Sequence, residues 1–261
     1  MRRLGSILFA LAALSACATG GQNAAATPGD PFEGWNRNVY AFNDAVDRYA
    51  LGPTSDVYRT LTPGFARAGV GNVLSNLASP VVLVNDVLQG QPSRAFDTTS
   101  RFAINTTIGV LGLWDAAEYF GIEGHKEDFG QTLAVWGVED GPYLMLPFLG
   151  PSTPRDAFGR IVDTALDPLN WTEFSGQEDL DDQIALGRGI LGTLNARVAV
   201  DDQIETLRAQ TEPYVALRRL YLSQREAAIR NGAVEENPYE DLPDFDEFLD
   251  EEDTGTGLEE E

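Results

Sequence analysis

The sequence predicts a mainly α fold: amphipathic helices joined by long Gly/Pro-rich loops, anchored at the N-terminus and followed by a disordered acidic C-terminal tail. Three observations carry this. A short apolar leader ends in Leu14-Ser15-Ala16-Cys17, apolar residues recur at helical spacing through much of 30–232, and 14 of the 41 acidic residues lie in 233–261 with no Lys or Arg among them.

The leader comes first. Arg2 and Arg3 supply positive charge and residues 4–14 are mostly apolar, far fewer than the roughly 20 residues that a membrane-crossing helix needs. A leucine three before the cysteine, with small residues between, is the pattern of a lipoprotein signal, so 1–16 is expected to be removed and Cys17 lipidated. An ordinary secretory signal that happens to contain a cysteine is the alternative. Cys17 is the only cysteine of the chain, so no disulfide can form and no other thiol is available for catalysis. Ala18 rather than Asp after the cysteine sorts such a protein to the outer membrane. Residues 17–29 are small and polar and form a tether whose full reach is about 40 Å at roughly 3.3–3.6 Å per residue.

A first helix is expected from near Asp30-Pro31, with Asp30 as acidic cap. Trp35, Val39, Phe42, Val46 and Tyr49 fall on one face, Asn36, Arg37, Asn43, Asp44 and Asp47 on the other, and Gly52-Pro53 ends it. Residues 68–89 are broadly apolar around Asn72, Asn76, Pro80 and Asn85, with Pro80 expected to kink or break the helix. Residues 96–120 repeat the style around Asn105, Thr106 and Thr107. Neither stretch holds an uninterrupted apolar run of about 18 residues. Two readings stay open: buried helices of a soluble core, or helices at the boundary of headgroups and acyl chains. Gly-rich turns from 121 to 154 predict loops and one short hairpin. A last helix is expected from a cap at Asp201, bent at Pro213 and stopped by Asn231-Gly232.

Chemistry is sparse. His125 is the only histidine and sits in a polar stretch, read as a solvated loop residue without a nucleophile motif. Asp128-Phe129-Gly130 spells a kinase tripeptide without any other kinase element. Glu178-Asp179 and Asp181-Asp182 read as a solvated helix start, not a cation loop. No metal ligand set, cofactor motif or catalytic group is expected, and the acidity argues against nucleic acid. In the tail, Phe245, Phe248 and Leu249 interleave with acids; a solubilising segment and a docking motif for a basic partner are the two readings.

Motifs from Asp30 onward resemble the MlaA (VacJ) family of lipoproteins. They are Asp30-Pro31-Phe32-Glu33-Gly34-Trp35-Asn36-Arg37, Tyr40-Ala41-Phe42-Asn43, Leu88-Gln89-Gly90, Asn105-Thr106-Thr107-Ile108-Gly109, Asp128-Phe129-Gly130-Gln131-Thr132-Leu133, Gly141-Pro142-Tyr143 and Gly150-Pro151-Ser152-Thr153. They cover about 30–170 in order. The resemblance implies a ring of amphipathic helices embedded in the inner leaflet of the outer membrane, around an amphipathic channel. It implies removal of mislocalised phospholipid from the outer leaflet, handover to a periplasmic carrier of the MlaC type, and residence beside a trimeric porin, with no enzymatic step. Phe42-Asn43 are then gating candidates, and Asn76, Asn105 and Thr106 are channel candidates. A scaffold lipoprotein that organises porins without conducting lipid is the alternative function.

Overall fold

The computed structural model describes residues 30–170 and 178–231. The leader 1–16, Cys17, the tether 17–29 and the acidic tail 233–261 lie outside the described residues.

Helix α1 (Glu33–Val46) starts three residues after Asp30 and takes no side-chain cap. Asp30 is instead fully buried. Its carboxylate accepts from Asn36 Nδ2 at 2.8 Å and from the Tyr214 hydroxyl, so the expected cap is a tertiary anchor. Gly52-Pro53 does not end the helix. A π-helical turn (Asp47–Leu51) leads directly into α2 (Gly52–Leu61), with the Gly52 N–H bonded to Asp47 O. Pro53 has no N–H to continue the i→i−4 ladder, and placed at the first turn of α2 it needs none.

Helix α3 (Gly64–Leu88) runs through Pro80 without ending. Helix α4 (Pro92–Thr107) folds back along it, fastened by Asn76–Thr106 at one end and Asp86–Thr98 at the other. The expectation of helix toward 120 fails at Thr107. Asn105, Thr106 and Gly109 lend their carbonyls to Gly112, Leu111 and Trp114, which turns the chain into a tight loop. Then come α5 (Phe129–Val135) and a hairpin, β1 (Leu144–Leu146) paired antiparallel with β2 (Gly150–Ser152) in the register Leu144 to Ser152. The hairpin was expected; α5 and α6 (Pro154–Leu166) were not. Both are short helices started by side-chain caps, with Asp128 accepting from Gln131 N and Thr153 from Asp156 N. Helix α7 (Glu178–Ala199) lies against α2 and α3. Helix α8 (Asp201–Arg208) and helix α9 (Pro213–Ile229) are separate, so Pro213 starts a helix instead of bending one. Asp201 is the first residue of α8, not its cap.

Burial is inverted. The apolar core is a small cluster of Val39, Tyr143, Met145 and Tyr214 between α1, β1 and α9, whereas Asn36, Asn85, Asp86 and Thr132 are completely buried. Phe65, Phe96, Ile108, Leu111, Trp114, Trp136, Phe158 and Ile161 are exposed. On α1 Asn36 and Val39 are buried while Trp35 and Phe42 are exposed, as is Tyr49 in the π-helical turn that follows. That many exposed large apolar side chains on α4, α5, α6 and the 108–114 loop is unusual for a surface that meets water. Among the described residues, no helix is long and apolar enough to cross a membrane.

Candidate functional site

A cavity of about 620 Å³ lies between α3 and α7. On α3 its wall is Gly69, Val70, Val73, Leu74 and Leu77, a spacing of three and four that puts them on one face. The same spacing on α7 presents Asp181, Ile184, Ala185, Arg188 and Leu191. Leu113 and, from the 3-10 helix Pro168–Asn170, Leu169 and Asn170 complete the lining. The lining is apolar except for Asn170, Asp181 and Arg188. Arg188 is held by the Asp167 carboxylate, whose other oxygen accepts from Leu169 N at 3.0 Å.

Leu113 reaches the cavity because the preceding loop is left-handed at three successive residues: Val110 (φ 53°), Leu111 (φ 59°) and Gly112 (φ 88°). Only the last is a glycine, so the first two store backbone strain. Side chains on α3 hold the loop in place. Asn72 Nδ2 donates to Leu113 O at 3.3 Å, and a Cβ at position 112 would come within 2.6 Å of the Asn76 Cβ.

Three of the five sequence-derived candidates meet here. Asn76 Nδ2 donates to Thr106 Oγ1 at 3.0 Å. Asn105 donates to Asp115 at 3.0 Å and accepts from Ala117 N at 2.9 Å. Phe42 and Asn43 lie elsewhere, at the hairpin. Asn43 Nδ2 donates to Leu146 O at 2.9 Å and its Oδ1 accepts from Phe148 N at 2.8 Å, while the Phe42 and Phe148 rings meet edge to face at 5.1 Å. One heptad earlier, Asn36 makes the same pair of bonds to Tyr143 O and Met145 N. None of the five lines the cavity, whose wall alternates with Asn76 along α3.

The interior around these parts is ionic. The Asp86 carboxylate accepts from Thr98 Oγ1 at 2.6 Å and lies 2.9 Å from His125 Nε2, so His125 is a pinned partner of a buried acid and not a solvated loop residue. Arg225 on α9 bonds both Asp128 and Asp156. Burial pushes these two carboxyls up, yet the bonds and charge of Arg225, with Gln131 on Asp128 and Tyr221 on Asp156, hold both below the usual carboxylate range. Burial raises Glu127 by more than Gln89 and Arg94 lower it. Arg197 ties α7 to Asp47 in the π-helical turn, and Arg208 joins it there from α8.

Sequence reasoning missed the α7 wall and Arg188. The signal was present: residues 181, 184, 188 and 191 keep helical period, but the acidic start of the segment drew the reading toward solvent. Asp181, assigned to that solvated start, lines the cavity.

The family model described as MlaA lipoprotein matches residues 28–228. The intermembrane phospholipid transport system lipoprotein MlaA of Escherichia coli K12 is 33% identical over 258 residues, covering 94% of this chain and 98% of the relative. That of Haemophilus influenzae is 30% identical over 242 residues, with 91% and 94% covered. A solved structure described as the structural basis for maintenance of bacterial outer membrane lipid asymmetry superposes with a TM-score of 0.67 at 32% identity, covering 77% of this chain and 98% of that one. On sequence, length and fold together, the chain belongs to the MlaA lipoprotein family.

Proposed function

We propose that this chain is an outer-membrane lipoprotein that takes mislocalised phospholipid out of the outer leaflet and passes it to a periplasmic carrier, preserving lipid asymmetry. The observation that carries this reading is the cavity between α3 and α7, apolar along its length with three polar groups, in a molecule whose large apolar side chains point outward. An amphiphile needs an apolar path for its tails and a few placed polar groups for its head. An inverted surface needs lipid around it, and a buried polar interior satisfies itself through the pairs described above.

In this reading the helices lie in the inner leaflet, held there by acyl chains on Cys17, beside a trimeric porin and facing a carrier of the MlaC type. Asn76, Asn105 and Thr106 support the channel by fixing the strained loop that carries Leu113. Phe42 and Asn43 hold the hairpin tip at Phe148, which makes that tip the movable part of a gate. Transport of this kind requires no covalent step, so the protein acts without catalysis.

The test is mass spectrometry of lipids that co-purify with the detergent-extracted protein, together with outer-leaflet phospholipid in cells lacking it. Bound phospholipid with excess surface phospholipid is the expected result. Absence of both would sink the transport reading in favour of a scaffold.

A further inference from the structure

We infer that the 108–114 loop is a latch on the α3–α7 cavity, closed by seating Leu113 on α3, and that phospholipid enters and leaves when the loop lets go of that helix. The inference rests on the phospholipid reading above and adds to it a moving part separate from the hairpin tip. Within seven residues the loop faces two ways. Leu113 lines the cavity, whereas Ile108, Val110, Leu111 and Trp114 are exposed around it. Leu113 therefore stands between the cavity and the apolar surface that its neighbours present.

Gly69, Asn72 and Asn76, spaced by three and four along one stripe of α3, hold the closed loop. The Leu113 side chain packs on bare backbone at Gly69, where a Cβ would come within 2.8 Å of its Cδ1. Asn72 Nδ2 donates to Leu113 O at 3.3 Å, an exposed and long bond. Gly112 seats against the Asn76 side chain. Two costs oppose these contacts. Val110 and Leu111 are held left-handed without being glycines, and Asn76 Oδ1 is buried with no hydrogen-bond partner among the described residues. Both costs belong to the closed arrangement, because a loop released from α3 can relax its backbone and uncovers Asn76 Oδ1 to a donor. Small holding terms set against strain leave the two arrangements close in free energy, which lets a ligand bias them. An acyl chain along Val70 and Val73 gains packing on Leu113 that only the closed loop offers, so an occupied cavity holds the latch shut.

The test uses the full-length lipoprotein in detergent, loaded with phosphatidylethanolamine that carries a pyrene-labelled acyl chain and chased with a large excess of unlabelled lipid. Release is read as loss of energy transfer from tryptophan to pyrene. Leu111→Gly removes strain from the closed loop and is expected to slow release about fivefold, whereas Asn72→Ala removes the bond to Leu113 O and speeds it about fivefold. The double variant returns to within about twofold of wild type, because the two changes act on one equilibrium from opposite sides. Circular dichroism shows that each variant is folded. Folded single variants that both release at the wild-type rate, or that shift it in the same direction, overturn this inference alone. Wild type that takes up no labelled phospholipid overturns the transport reading and this inference with it.

Discussion

Asn36 and Asn43 sit one heptad apart on α1, and each uses both ends of its amide on the hairpin backbone, so two side chains act as an extra pairing partner for the β1 segment. Asn43→Ala removes two bonds at a partly exposed position and is expected to cost about 1–2 kcal/mol locally, raising amide exchange at Phe148 about tenfold or more with little change elsewhere. Asn36→Ala strands Asp30, Tyr143 O and Met145 N in the interior and should cost about 3 kcal/mol or more of global stability, read as a lower unfolding midpoint in detergent. Charge at the residue scale gives a pH dependence. Asp128 and Asp156 titrate below their unfolded values, so the stability they contribute is full above about pH 4 and is lost as pH falls through the lower folded values. Glu127 runs oppositely, favouring the fold only while protonated and losing that contribution as pH rises through its raised value. Arg225→Gln removes the cause of the first effect. Its melting temperature from pH 3 to 7 is expected to be lower at neutral pH, by the equivalent of about 3 kcal/mol, and to fall less on acidification than that of wild type.

At the scale of elements, the loop after α4 and the crossing of α5 with α6 set the tolerances. Leu111 is left-handed and exposed, so a glycine there relieves strain and gives up little packing. Leu111→Gly is expected to raise stability in detergent by about 1 kcal/mol, measured by thermal or denaturant unfolding. Gly112→Ala does the reverse, because its Cβ meets Asn76 in a conformation that alanine disfavours. That variant displaces Leu113 from the cavity wall and should reduce bound phospholipid as well as stability. Gly159 on α6 faces the Gly130 backbone so closely that a Cβ has no room, which leaves the α5–α6 crossing without tolerance for alanine. Helix α7 differs from these. Gly187 and Gly189 meet nothing within 4 Å where a Cβ would stand, so the wall that carries Arg188 is thinly packed along its middle.

For the whole molecule the proposed function expects apolar surroundings where α4, α5, α6 and the 108–114 loop present their exposed apolar side chains. Trp114 and Trp136 are 59% and 53% exposed, on that surface. In vesicles containing brominated phospholipid, the protein's tryptophan emission is expected to be strongly quenched, and replacing Trp114 and Trp136 with Phe should reduce the quenched fraction. Emission indifferent to bromine would contradict embedding. The sequence by itself determined the helical character, a short hairpin within 121–154 and the family, because periodicity, turn residues and ordered motifs are local signals, while Phe42, Asn43, Asn76, Asn105 and Thr106 came from the family resemblance alone. Only the tertiary structure decided which way each stripe faces. The alternation of polar and apolar residues on α1 is the same whether water or lipid lies outside, so periodicity locates two faces without naming their solvent. Nor could spacing along the chain show that Asp30 meets Tyr214, that His125 meets Asp86, or that Arg188 joins α3 in one cavity, since each pairing closes a long loop and is settled by burial of charge in three dimensions.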